Sequence, residues 1–167
     1  MDDAKKSRIS DRDYNSTVIL QMTDIISENS EDLKAYVMRG NHYLDSGKLI
    51  EAISDLTKAI QLDPSDPMVF NNRGVAYRRS VDKDKALEDF DQAITIKPDY
   101  REAYNNRGMV LADNYEYEAA IVEFTKAIEI DSDYWYAYNN RAMSRWALGD
   151  RKGAESDYKV VSSHMSG

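Results

Sequence analysis

Asparagine and arginine recur at one fixed spacing along this chain, and the chemistry they offer is hydrogen bonding and charge. The segments read Val37-Met38-Arg39-Gly40, Asn71-Asn72-Arg73-Gly74, Asn105-Asn106-Arg107-Gly108 and Asn139-Asn140-Arg141-Ala142, each 34 residues after the last. A carboxamide both donates and accepts, so a row of asparagines can hold the main chain of an extended peptide or can bond the next helix. For the second asparagine of each pair the two roles weigh equally; for the first, ligand contact is favoured. Arg39, Arg73, Arg107 and Arg141 each have an acidic residue at one constant offset: Asp55, Asp89, Glu123 and Asp157. Two complete ladders of opposite sign predict structural ion pairs between helices, with a basic strip for an acidic ligand as the alternative.

No other residues assemble a catalytic constellation. His42 and His164 read as a helix-face and a terminal residue. Asp131-Ser132-Asp133 lacks the glycine and distal glutamate of a calcium loop and reads as a capping turn. The chain has no cysteine, which excludes disulfides and thiolate metal sites and fits a reducing, cytoplasmic setting. No enzyme activity, metal or cofactor is expected. A net charge of −8 opposes a phosphate backbone, so nucleic acid is a poor partner. No apolar run approaches the roughly 20 residues that span a bilayer. The first ten residues carry charges without an apolar core, so they are no secretory signal.

A fixed period of this size requires stacked supersecondary units that position the ladders. With position 1 of each unit at Leu33, Pro67, Arg101 and Trp135, position 4 is aromatic: Tyr36, Phe70, Tyr104 and Tyr138. Position 8 is small (Gly40, Gly74, Gly108, Ala142), and so is position 20 (Ala52, Ala86, Ala120, Ala154). Position 24 is large again: Leu56, Phe90, Phe124 and Tyr158. Small residues let two helix backbones approach while the large ones fill the space beside them. Local signals divide each unit into two helices. Asp66 before Pro67 is a helix start, and Asp99 with Glu102 has capping-box spacing. Gly47 and Gly149 end first helices; Asp82 and Asp150 open second ones. Ala86, Leu87, Phe90, Ala93 and Ile94 form a helical stripe within the second.

These residues closely resemble the tetratricopeptide repeat, four units in succession over residues 33 to about 166. The chain departs from the common pattern at position 7, where arginine replaces leucine. The resemblance implies an all-α fold, a right-handed superhelical solenoid of antiparallel helix pairs. The expected divisions are residues 1–10 disordered, 11–30 a capping helix or half-repeat, and four units at 33–66, 67–100, 101–134 and 135–167. The half-repeat follows from Val18, Ile19, Met22, Ile25 and Ile26, which fall on positions 20, 21, 24, 27 and 28. In the last unit three apolar positions turn polar together, as Glu155, Ser162 and His164. A terminal unit needs such a polar outer face, so the array is expected to stop there; the alternative is a piece of a longer protein.

In the family the first helices line a concave surface through positions 2, 5, 6, 9, 12 and 13. That places Val37, Met38, Asn41, Asn71, Asn72, Val75, Arg78, Arg79, Asn105, Asn106, Met109, Asn139, Asn140, Met143 and Trp146 on a peptide groove. Methionines adapt to varied partners, and Trp146 is the best aromatic anchor. Arg78 and Arg79 suggest an acidic residue opposite the second unit. Some members clamp the C-terminal carboxylate of heat-shock chaperones with lysine, asparagine and arginine. The matching residues here are Val37, Asn41, Asn72, Glu102 and Asn106, which keep both asparagines but neither lysine nor the arginine. The expected function is therefore a protein- or peptide-binding adaptor, a monomer or weak homo-oligomer, without a chaperone-tail clamp. The runner-up is a self-associating scaffold, motivated by Tyr134-Trp135-Tyr136.

Overall fold

A computed structural model describes residues 11–165, with side chains from Tyr14 onward. The disorder expected for residues 1–10 lies outside the described residues. Nine helices and no strand form among the described residues, an all-α solenoid of helix pairs. The chain divides into two compact units between Ser65 and Asp66.

The first unit holds α1 (Asp11–Glu28), α2 (Leu33–Asp45) and α3 (Leu49–Leu62). The Asp32 carboxylate caps α2 by accepting from the Ala35 N–H at 2.8 Å. Val18 and Met22 of α1 are buried against Ala35 of α2, with Ile26 beside them. Ile25 faces out, 39 % exposed. Gly40 lets α3 approach: a Cβ there would lie 2.9 Å from Leu56 Cγ.

The second unit holds three helix pairs: α4 (Pro67–Arg79) with α5 (Lys83–Ile96), α6 (Arg101–Asp113) with α7 (Tyr117–Ile130), and α8 (Trp135–Ala147) with α9 (Arg151–Met165). The second helices end in extended conformation at one repeating position, Asp63, Lys97 and Asp131, and the next first helix opens four residues later, at Pro67, Arg101 and Trp135. Asp66 caps α4, accepting from the Met68 N–H at 2.8 Å, and Pro67 opens the helix where no N–H is needed. The capping box anticipated at Asp99 does not form. Tyr100 holds the cap position of α6 without a side-chain bond, and Glu102 takes Arg101 instead, at 3.0 Å. Asp131 Oδ1 accepts from the Asp133 N–H at 2.9 Å, a turn-closing bond.

Phe90 and Phe124 fill the space between paired helices, 0 % and 1 % exposed. Each sits under a glycine of the facing helix, Gly74 and Gly108, whose Cβ would come within 2.7 Å of the ring. The turn between paired helices needs a left-handed residue at one position. Gly149 supplies it at φ 82°, whereas Val81 (67°) and Tyr115 (65°) supply it at a steric cost.

Candidate functional site

The arginine ladder is structural in both units. Arg39 grips Asp55 with two bonds of 2.7 and 2.8 Å, and Arg73 grips Asp89 with bonds of 2.8 and 2.7 Å. Arg141 does the same to Asp157 at 3.0 and 2.7 Å. Arg107 puts Nε and Nη2 on one oxygen of Glu123, at 2.9 and 2.7 Å. These carboxylates are buried or nearly so, and the two guanidinium N–H groups aimed at each compensate its desolvation. The hydrogen bond to Asp55 raises the Arg39 pKa above its usual value, and Asp89 does the same for Arg73. The spare Nη1 then reaches the neighbouring helix pair: Arg107 meets Asp91 at 2.5 Å and Arg141 donates to Thr125 Oγ1 at 3.0 Å. In the first unit Arg39 Nη1 donates to Thr23 Oγ1 of α1 at 3.0 Å, the equivalent bond.

The asparagine ladder has a direction. Asn106 Nδ2 donates to Asn71 Oδ1 at 2.9 Å, and Asn140 Nδ2 donates to Asn105 Oδ1 at 2.9 Å. Asn71 and Asn105, the first asparagines of two pairs, are thus each engaged by the next first helix. Asn71 and Asn105 are 6 % and 4 % exposed, committed to packing where ligand contact was favoured. Their own amide nitrogens turn to Asn72 Oδ1 at 3.2 Å and to Met109 Sδ at 3.6 Å, which fixes the orientation of the oxygens. Asn139 Nδ2 donates to Met143 Sδ at 3.8 Å. Asn106 and Asn140 are half-buried, and their Oδ1 atoms accept from no described residue.

Beside this ladder lies a pocket of about 290 Å³, between α6 and α8 with α4 at its edge. Arg78, Met109, Asn140 and Met143 line it, four of the residues expected on the binding face. Met109 packs on the Phe124 cluster, while Met143 is 58 % exposed. Phe124, read from sequence as a packing residue, completes the lining with Ala112, Asp113, Tyr117, Ser144 and Ala147, which were not singled out. Asp113 was within reach, since it occupies position 13. Tyr117 belongs to a second helix, which a rule about first helices does not cover.

The remaining expected residues stand apart from the pocket. Val75 packs on Phe90 and Val110. Asn72 is half-buried and Arg79 is exposed at the end of α4. Trp146 is 54 % exposed, with the Arg151 guanidinium 5.4 Å from its ring. Val37, Met38 and Asn41 belong to α2 of the first unit, where Met38 is 46 % exposed. His42 bonds Asn15 Oδ1 at 2.8 Å, a structural contact. Among the described residues no acidic, histidine or cysteine cluster could hold a metal ion, and no helix is long and apolar enough to cross a membrane.

Three family patterns match the chain: a TPR repeat over residues 40–80, and tetratricopeptide repeats over 67–100 and 102–134. No curated protein sequence matches it. Among solved structures it is similar to MamA, at 23 % identity and a TM-score of 0.82, covering 99 % of this chain and 96 % of that one. It is also similar to YrrB, a TPR protein described as having an unusual peptide-binding site, at 20 % identity, TM-score 0.70 and coverage of 92 % and 79 %. The first TPR of Spaghetti (RPAP3), solved with the HSP90 peptide SRMEEVD, matches at 28 % identity and TM-score 0.67, covering 72 % of this chain and 96 % of that one.

Proposed function

The chain belongs to the tetratricopeptide-repeat family, and from that premise we propose that it is a non-enzymatic adaptor that binds a segment of a protein partner along α4, α6 and α8. The observation that carries this is the pocket between α6 and α8. It joins apolar walls of Met109 and Met143 to the unpaired carboxamide oxygen of Asn140, a combination suited to one side chain and one main-chain N–H. Neighbours in the family that bind peptides support the coarse reading of a protein-interaction module. The net charge of −8 and the missing cysteines favour a cytoplasmic protein that leaves nucleic acid alone.

The chaperone-tail clamp is not part of this proposal. Val37 and Glu102 stand where the clamp needs lysine, and Asn106 stands where it needs arginine. A negative Glu102 opposes a carboxylate. Amidating the C-terminus of the peptide SRMEEVD should therefore leave its calorimetric binding unchanged, and a marked loss on amidation would overturn this exclusion.

The experiment for the adaptor reading is photo-crosslinking in the native lysate. A photoreactive residue at position 143 should capture a discrete partner, whereas one at position 126, on α7, should not. Capture from position 126 alone would place the partner on the second helices and sink the proposal. Self-association remains the second reading, because Tyr136 is 53 % exposed while stacked on Trp135 at 3.7 Å. A concentration-independent monomer by light scattering would rule it out.

A further inference from the structure

The rim of the pocket between α6 and α8 narrows the chemistry of its occupant, an inference that rests on the adaptor reading. The walls at Met109, Ala112, Phe124 and Met143 are apolar, and Arg78 stands at the mouth with Asp113. Arg78 spends only Nε on Asp113 Oδ2, at 2.7 Å. Its Nη1 and Nη2 hydrogen-bond no described residue, although the side chain is only 25 % exposed. A second cation is held at the main chain of the same residue: Lys83 Nζ donates to the Asp113 carbonyl at 2.7 Å and to Asn114 Oδ1 at 2.8 Å. With Lys83 held next to Asp113, two cations stand near that one carboxylate in a chain of net charge −8. A lysine or arginine of a partner would meet Arg78 and Lys83 as like charges. A wholly apolar segment would strip water from the guanidinium nitrogens and replace none of those bonds. A carboxylate meets both demands through charge-assisted hydrogen bonds.

We propose that the pocket takes a large apolar side chain of the partner segment, and that Arg78 takes an aspartate or glutamate carboxylate beside it in that segment. Arg78 is then the residue that sets the charge preference of this face, at a place distinct from the chaperone-tail positions.

The test uses the full chain and three capped, amidated hexapeptides of sequence Gly-Ser-Leu-X-Ser-Gly, with X as Glu, Gln or Lys. Binding is read from the methionine methyl resonances, assigned with Met109→Leu and Met143→Leu. The Glu peptide should shift both methyl signals and bind about tenfold tighter than the Gln peptide at low salt, the scale of one charge-assisted hydrogen bond. In Arg78→Gln the Glu and Gln peptides should bind equally; Arg78→Lys should keep part of the preference. Equal binding of the Glu and Gln peptides would overturn the carboxylate assignment and leave the groove reading standing. Tightest binding by the Lys peptide would reverse it. Shifts from none of the three would overturn the pocket assignment, and failed crosslinking at position 143 would separately remove the adaptor reading.

Discussion

At the scale of single residues, the repeat is held in register by pairs that cannot both be large. Gly74 faces Phe90, and Phe90 is fully buried with nowhere to turn. Gly74→Ala should overpack this contact and cost roughly 1–3 kcal/mol, read as a lower urea midpoint at unchanged slope. Ala93→Leu, at another fully buried position, should cost about the same, and an unchanged melting temperature would refute the 34-residue frame itself. The last unit shows why the rule bends: Ala142 stands at the glycine position where the large partner is Tyr158, which is 37 % exposed rather than buried. The opposite prediction holds at Val81. A β-branched residue at φ 67° is strained, and its side chain is 76 % exposed, so nothing is gained by packing it. Val81→Gly should stabilise by about 1 kcal/mol, strain relief being partly offset by the entropy of glycine. A lower midpoint would mean that the turn is not strained.

At the scale of elements, neighbouring first helices are joined by the amide ladder and neighbouring pairs by the spare arginine nitrogens. Asn105→Ala removes the acceptor of Asn140 and empties a buried site, and should cost roughly 1–3 kcal/mol in chemical denaturation. Asn106→Ala also breaks a ladder bond, so any loss of partner binding in that variant must be compared with its melting temperature. The arginine pairing was legible in the sequence because a constant offset to a carboxylate admits few geometries. The direction of the asparagine ladder was not. A carboxamide reads the same in sequence whether it meets a ligand or a helix, and only the approach of α6 to α4 decides between them. The capping box at Asp99 failed for a similar reason: Tyr100 takes the cap position and Arg101 draws Glu102 sideways. The corners between pairs carry a pH signature. Burial pushes the phenols of Tyr100 and Tyr134 up to about 12, with Glu102 adding to both. A raised folded pKa means stability that is complete below the unfolded value, near 10, and lost as pH rises toward 12. Thermal stability should therefore fall between pH 10 and 12, and the double variant Tyr100→Phe, Tyr134→Phe should flatten that fall.

At the scale of the whole molecule, a solenoid is stabilised by each pair covering the one before it, so its faces must differ in polarity according to whether another pair packs there. Ile128 is half-buried and packs on the cluster that includes Ala137 of α8. The equivalent position in α9 is Ser162, and it is exposed, as are Glu155 and His164. His164 is not idle: its ring lies 5.8 Å from that of Trp135, closing the aromatic corner that also holds Tyr136. Thus α9 buries Val161 on its inner face and presents Glu155, Ser162 and His164 where α7 presents isoleucine. This contrast leads to the last prediction. Replacing Glu155, Ser162 and His164 by Ile, Ile and Leu recreates the apolar stripe that α7 offers to α8, on a face with no described helix over it. Two such faces should then bury each other, since apolar area removed from water is worth about 25 cal/mol per Å². Sedimentation velocity should show concentration-dependent association of the triple variant while single-helix controls on α7, such as Lys126→Ala, sediment as the parent does. A triple variant that sediments as the parent does at every concentration would mean that the polarity of α9 does not govern association, and the aromatic corner at Trp135 and Tyr136 would become the place to look.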